Sequence, residues 1–218
     1  MSPKSFLLSE EMHSYLIEHS TPLDDDRRQL IAETETLGGV SMMQVAPEQS
    51  VFLTLLTRAL GARRAVEVGT FTGMSSLSIA LGLPDDGYLL CCDVSEEWTA
   101  MARAAWEKAG VARRIELRIA PALETLQSLP PGPQFDLAFI DADKPGYIGY
   151  WEELVPRVTP GGVLLVDNVL QGGRITDASA EGNVAAIRAF NDHAAADSRV
   201  ELVVLPISDG LTFARKLL

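Results

Sequence analysis

Two short segments concentrate the residues able to do chemistry. FIDADK (139–144) ends an apolar run in Asp141 and then supplies Asp143 and Lys144. GVLLVDN (162–168) ends a second run in Asp167 and Asn168. If the two runs are neighbouring strands, Asp141, Asp167 and Asn168 converge at one edge of a sheet. Two carboxylates forced together repel unless a cation lies between them. Oxygen donors without His or Cys suit a hard divalent ion, Mg²⁺ first, with Mn²⁺ or Ca²⁺ as alternatives. Either aspartate alone is a simple cap of a helix or turn; the three together point to a metal.

The elements that must position them are visible as near-continuous apolar runs: AVEV (65–68), YLLCCD (88–93), RIELRI (114–119), FDLAFID (135–141) and GVLLVD (162–167). Helical stretches long enough for parallel crossovers separate them. This predicts an α/β fold with a doubly wound, mostly parallel, Rossmann-like sheet. VELVVLP (200–206) and LTFARKLL (211–218) have only residues 207–210 between them, too few for a parallel crossover, so the last strand is expected to run antiparallel as a hairpin. Ahead of the sheet, one helix starts at Ser9 with Met12, Tyr15, Leu16 and His19 on one face, and a second follows Asp24–Asp26. A third begins at Pro47, with Val51, Phe52, Leu55, Leu56, Ala59 and Leu60 as its expected buried face, and stops at Gly61.

Composition narrows the function classes. With 218 residues and 47% hydrophobic content the chain buries one core, so residues 1–218 read as a single domain, 1–45 being a helical extension that contributes to a substrate wall. Eighteen basic against 30 acidic residues leave a charge of −12, which disfavours nucleic acid and anionic membrane as partners. Cys91 and Cys92 are adjacent in an apolar run and fit neither a disulfide framework nor a zinc site, which suits a reducing cytoplasm. No stretch approaches the roughly 18 apolar residues of a membrane span, and no secretory leader is read at the start. The three histidines lie away from every strand end, and no GxSxG elbow or Cys/His pairing supports a hydrolase.

Ligands in such sheets bind beyond the carboxyl ends of the strands. EVGTFTGMSS (67–76) places Glu67 at a strand end, Gly69 and Gly73 in a tight turn, and Ser75 near a helix start. The glycines either admit a ligand to the backbone or allow close packing of strand and helix. Asp93 ends the next strand, where an acid receives ribose hydroxyls. There is no GxGxxG, and Glu67 would repel a pyrophosphate, so NAD is disfavoured. S-adenosylmethionine lacks phosphate and carries an ammonium and a carboxylate; Glu67 suits the first and the helix start near Ser75 the second.

MMQVAPEQ, EVGTFTG, CDVSEEW, APALETL, FIDADKPGY and VLLVDN occur in this order. From about residue 35 onward the chain resembles the cation-dependent O-methyltransferases of the caffeoyl-CoA and catechol type, with a class I methyltransferase fold. The resemblance implies metal ligands Asp141, Asp167 and Asn168, and catalytic roles for Lys144 and Asp141. It further implies methyl-donor contacts from Met43, Val45, Glu67, Gly69, Thr70, Ser75, Asp93, Ala122, Asp141 and Asp143, and a homodimer. The chain departs from the family at Gly146, often Asn; at Ala120, often Gly; and at Gly172, Asn in the plant enzymes. Caffeoyl-CoA carries phosphates, and only scattered cations such as Lys4 and Arg174 could meet them, so a small vicinal dihydroxy aromatic, a phenolic substrate, is the expected acceptor.

A phenol with a pKa near 10 is a poor nucleophile at neutral pH. A cation on both catechol oxygens lowers that pKa, and Lys144 either accepts the proton or steadies the phenolate; a solvated lysine paired with Asp143 is the plain alternative. Tyr147, Tyr150 and Trp151 read as core, with Tyr147 near enough to line a pocket, and Trp98 either borders the adenine or packs its helix. QGGRITDASAEGN (171–183) reads as a flexible polar insertion in the substrate wall. A metal-independent methyltransferase and a nucleoside-binding sensor are the competing readings.

Overall fold

The computed structural model describes residues 8–218. Seven strands, β1 (Arg64–Val68), β2 (Tyr88–Asp93), β3 (Ile115–Ile119), β4 (Phe135–Ile140), β5 (Val158–Asp167), β6 (Val200–Leu205) and β7 (Leu211–Lys216), form one sheet in the order β3-β2-β1-β4-β5-β7-β6. β1 to β5 pair in parallel, and β7 runs antiparallel to both β5 and β6, as the short 207–210 connection requires. Both faces of the parallel part are covered, which is why its strands are apolar at consecutive positions: Val66 joins the core on one face and Ala65 the core on the other.

Among the described residues, eight α-helices flank the sheet: α1 (Glu10–Glu18), α2 (Asp25–Glu35), α3 (Pro47–Ala59), α4 (Met74–Gly82), α5 (Glu96–Lys108), α6 (Ala122–Gln127), α7 (Tyr147–Leu154) and α8 (Asn183–Ala195). Ser9 and Asp24 cap α1 and α2 by accepting from Met12 N and Arg27 N. α1 buries no residue, whereas α2 buries Leu30 and Thr34. No helix among the described residues is long and apolar enough to cross a membrane. Lys4 lies outside the described residues.

α3 corrects the expected face. Val51 is buried and Phe52 and Leu56 pack against the core as expected, but Leu55, Ala59 and Leu60 are exposed, and the other residues turned inward are Gln49, Ser50, Leu53, Thr54 and Thr57. The reason is close helix packing on α4: a Cβ on Gly82 would lie 2.5 Å from Thr57 Cβ. Short hydroxyl side chains fit such a crossing because their polar atoms are satisfied at the contact, Thr57 Oγ1 donating to Leu53 O at 2.7 Å within α3 and Thr54 Oγ1 to Ser78 O of α4 at 2.8 Å. Leucines in place of Thr54 and Thr57 would hold the helices apart.

Candidate active site

The carboxyl ends of β1, β2, β4 and β5 open into a cavity of about 1000 Å³. Backbone bonds carry the parallel ladders one step past the strands: Gly69 N to Cys92 O at 2.9 Å and Asp141 N to Val68 O at 2.8 Å. The side chains that follow are thereby set at one level. Every site residue expected from the sequence lines the cavity except Glu67, which is completely buried beneath Thr70.

On the β1 and β2 side, Thr70 Oγ1 donates to Glu67 Oε2 at 2.9 Å, and Glu67 Oε1 is buried with no partner among the described residues. Burial pushes the Glu67 carboxyl up to about 7, against the pull of Ser75, Thr70 and Cys91 beside it. Asp93 Oδ2 accepts from Thr70 N and Phe71 N, each at 2.8 Å, and its Oδ1 accepts from Ser95 N at 2.8 Å. Asp93 therefore shapes the 69–73 turn as well as facing the cavity. Phe71 adopts φ 52° to present its N–H this way, and its ring meets Trp98 edge-on at 5.1 Å. Trp98 lines the cavity.

The glycines serve close packing. Gly69 has φ 89°, and a Cβ there would lie 1.9 Å from Asp141 O. Gly73, with φ 93°, leaves room for Ala102, whose Cβ would be only 2.5 Å from a side chain at 73. Met43 and Val45 close the cavity from the segment after α2, Ala122 closes it from the start of α6, and Asp143 from the loop after β4. Among the described residues, α1 and α2 contribute nothing to this wall.

On the β4 and β5 side the pairing Ile140↔Val166 brings Asp141, Asp167 and Asn168 together. Lys144 Nζ bridges them, donating to Asp141 Oδ1 at 2.9 Å and Asn168 Oδ1 at 2.7 Å, and also to Tyr147 OH at 2.6 Å. Its acidic partner is Asp141 and not Asp143, which instead accepts from Tyr150 OH at 2.5 Å. Burial, then the charge of Asp141, pushes Asp167 up to about 7. Asn168 holds φ 58°. Among the described residues no three His, Cys, Asp or Glu side chains gather as a metal cluster. The set here is two carboxylates and an amide, all hard oxygen donors, and an ammonium already spans two of them. That donor set fits a divalent cation.

Several wall residues carried no sequence signal. Tyr150 lines the cavity, while Tyr147 is fully buried behind Lys144. The Tyr150 ring occupies the space of any side chain at Gly146, 2.6 Å from its would-be Cβ, which accounts for glycine there. Gln49, Ser208 and Asp209 also contribute, and Gln171 and Asn183 do so from the ends of the 171–183 insertion expected there. Gln171 and Ser208 have φ 49° and 47°, so all four non-glycine residues with positive φ among those described stand in this wall.

A model of the O-methyltransferase family matches residues 17–217. The chain belongs to that family. Probable caffeoyl-CoA O-methyltransferase 2 of Dictyostelium discoideum is 44% identical to this O-methyltransferase over 209 residues, spanning 94% of this chain and 90% of the relative. The O-methyltransferase from Bacillus cereus, solved in complex with SAH, matches with a TM-score of 0.85 at 31% identity, covering 93% of this chain and 96% of that one. The O-methyltransferase TomG from Streptomyces achromogenes, solved with SAM, matches with a TM-score of 0.86 at 30% identity, covering 95% and 96%. The methyltransferase fold and S-adenosylmethionine dependence expected from the motifs are thereby borne out.

Proposed function

We propose that this O-methyltransferase is Mg²⁺-dependent and methylates one hydroxyl of a small catechol-like acceptor. The observation that carries the reading is the convergence of Asp141, Asp167 and Asn168 at one wall of the cavity, where Lys144 bonds Asp141 and Asn168, while Thr70 and Asp93 build the other wall with Glu67 buried beneath Thr70.

Glu67, with its unpartnered Oε1, suits the donor ammonium; the start of α4 at Ser75 suits the donor carboxylate; Asp93 suits the ribose. Met43, Val45, Ala122 and Asp143 wall the rest of the donor. A divalent cation on Asp141, Asp167 and Asn168, as Mg²⁺ or with Mn²⁺ or Ca²⁺ in its place, supplies the Lewis acidity that brings a phenol down from roughly 10 towards neutral pH. The phenol gives its proton to solvent water, the phenolate oxygen forms a bond to the methyl carbon as the carbon–sulfur bond breaks, and sulfur keeps the electron pair. Lys144 has all three donor positions engaged, so it acts on the acceptor by exchanging one bond for a phenolate oxygen.

The acceptor is small and carries no phosphate. Lys144 is the single cationic side chain in the described wall, which also holds Asp93, Asp141, Asp143, Asp167 and Asp209. A polyanionic thioester meets repulsion there. The exposed apolar side chains of Tyr15, Leu16 and Leu55 support a homodimer, and the free buried Cys91 and Cys92 support a cytoplasmic setting.

Purified protein, labelled methyl donor and a panel of catechols, with and without chelator, test the reading. Transfer is expected to vanish in chelator and return with Mg²⁺. Chelator-resistant transfer refutes the metal role.

A further inference from the structure

The inward face of α3 carries one long polar side chain to the cavity wall. Gln49 is fully buried, and its Nε2 donates to Asp167 Oδ2 at 2.8 Å, joining residues 118 apart in the chain. Asp167 Oδ1 accepts from Asn168 N at 2.8 Å. Each oxygen of this carboxylate is thus held by one neutral donor, so the group cannot turn about its Cβ–Cγ bond without breaking a bond. An ionised carboxylate has about four lone-pair sites, and the two donors leave the remainder free.

The other half of the glutamine amide gains nothing from the fold. Gln49 Oε1 is buried without a partner among the described residues. A buried amide with one bond made and one missing is a poor stabilising device, because the unpaired oxygen has lost its water. Its one achievement in this structure is to fix Asp167. The residue type matters too: a carboxylate at 49 would add a third like charge, and a lysine or arginine would compete with a cation for Asp167. A neutral donor orients the ligand and leaves its charge available.

We infer that Gln49 is a positioning residue for the cation site, acting through Asp167; the inference rests on the cation reading proposed above. Residues that hydrogen-bond metal ligands typically govern affinity by about 10–100-fold. Gln49 has no part in the donor set, so cation and donor binding should separate.

The test uses Mn²⁺ alone as the probe, followed by electron paramagnetic resonance, with S-adenosylhomocysteine binding measured by calorimetry on the same full-length protein. Gln49→Met keeps the bulk of the side chain and removes its hydrogen bonding. Its Mn²⁺ Kd is expected to rise about 10–100-fold, while the S-adenosylhomocysteine Kd stays within about threefold. A residue that merely glued α3 to the sheet would disturb both affinities together. Gln49→Asn, one methylene too short to reach Asp167, gives the same reading should the methionine variant not fold. A folded variant with wild-type Mn²⁺ affinity overturns the inference alone. Absence of Mn²⁺ binding by the wild type overturns the cation reading and this inference with it.

Discussion

Glu67 and Asp167 are two buried carboxyl groups at one cavity, Asp167 in its wall and Glu67 behind Thr70, and burial pushes both up to about 7. Their surroundings differ. Glu67 has a hydroxyl partner on one oxygen and an orphan on the other. Asp167 has both oxygens held by amide donors, a second carboxylate opposing it and an ammonium between Asp141 and Asn168. A lone buried carboxyl asks for a single positive charge, as an amino acid ammonium provides. A pair of carboxylates asks for more charge than one lysine carries. On the proposed reading, the donor side and the acceptor side would select different cations by the same physics.

The comparison can be broken most sharply at Asp141. Asp141→Ala is expected to lower kcat on the order of 10³-fold, far more than it lowers S-adenosylhomocysteine affinity, to which Asp141 contributes as an expected donor contact; a matched loss in donor binding would mean that the two sides are one site energetically. Gly69→Ala strikes the contact between the walls, where a Cβ would sit 1.9 Å from Asp141 O. It is expected to cost about 3–5 kcal/mol of stability and to lower Tm by roughly 10 °C, read by calorimetric unfolding.

Glu67→Gln gives the smallest effect, a loss of about 10–100-fold in S-adenosylhomocysteine affinity. It also carries a pH signature. Below about 7 the donor-free protein holds Glu67 protonated, whereas an ammonium binds the ionised form. Wild-type affinity should therefore fall by up to tenfold per pH unit as pH drops below about 7. Glu67→Gln should flatten that slope in calorimetric titrations.

The strands and the acidic positions at their ends were legible in the sequence because a doubly covered parallel sheet writes itself as unbroken apolar runs that stop abruptly at polar residues. The buried side of α3 was legible only in part. The apolar count found Val51, Phe52 and Leu56 but also chose Leu55, Ala59 and Leu60, whereas a close crossing against Gly82 demands small hydroxyl side chains. Gln49 was hidden for a related reason: a glutamine in the first turn of a helix reads as a solvated residue, and its partner is 118 positions away. Tyr147, Tyr150 and Trp151 are core as read, but Tyr150 and not Tyr147 reaches the cavity, because helical spacing alone does not say which of two neighbours also borders a pocket.

The loop after β5 is anchored to the hairpin turn between β6 and β7. Val169 N donates to Gly210 O at 3.1 Å, Leu170 N to Asp209 O at 2.9 Å and Gly172 N to Asp209 Oδ1 at 2.5 Å, while Leu170 fills the space a side chain at Gly210 would need. The two segments are one mechanical piece made from distant stretches of chain. Transplanting 169–183 from a homologue with another acceptor would leave its anchor behind, and re-engineering of acceptor range has to exchange 206–210 in the same step.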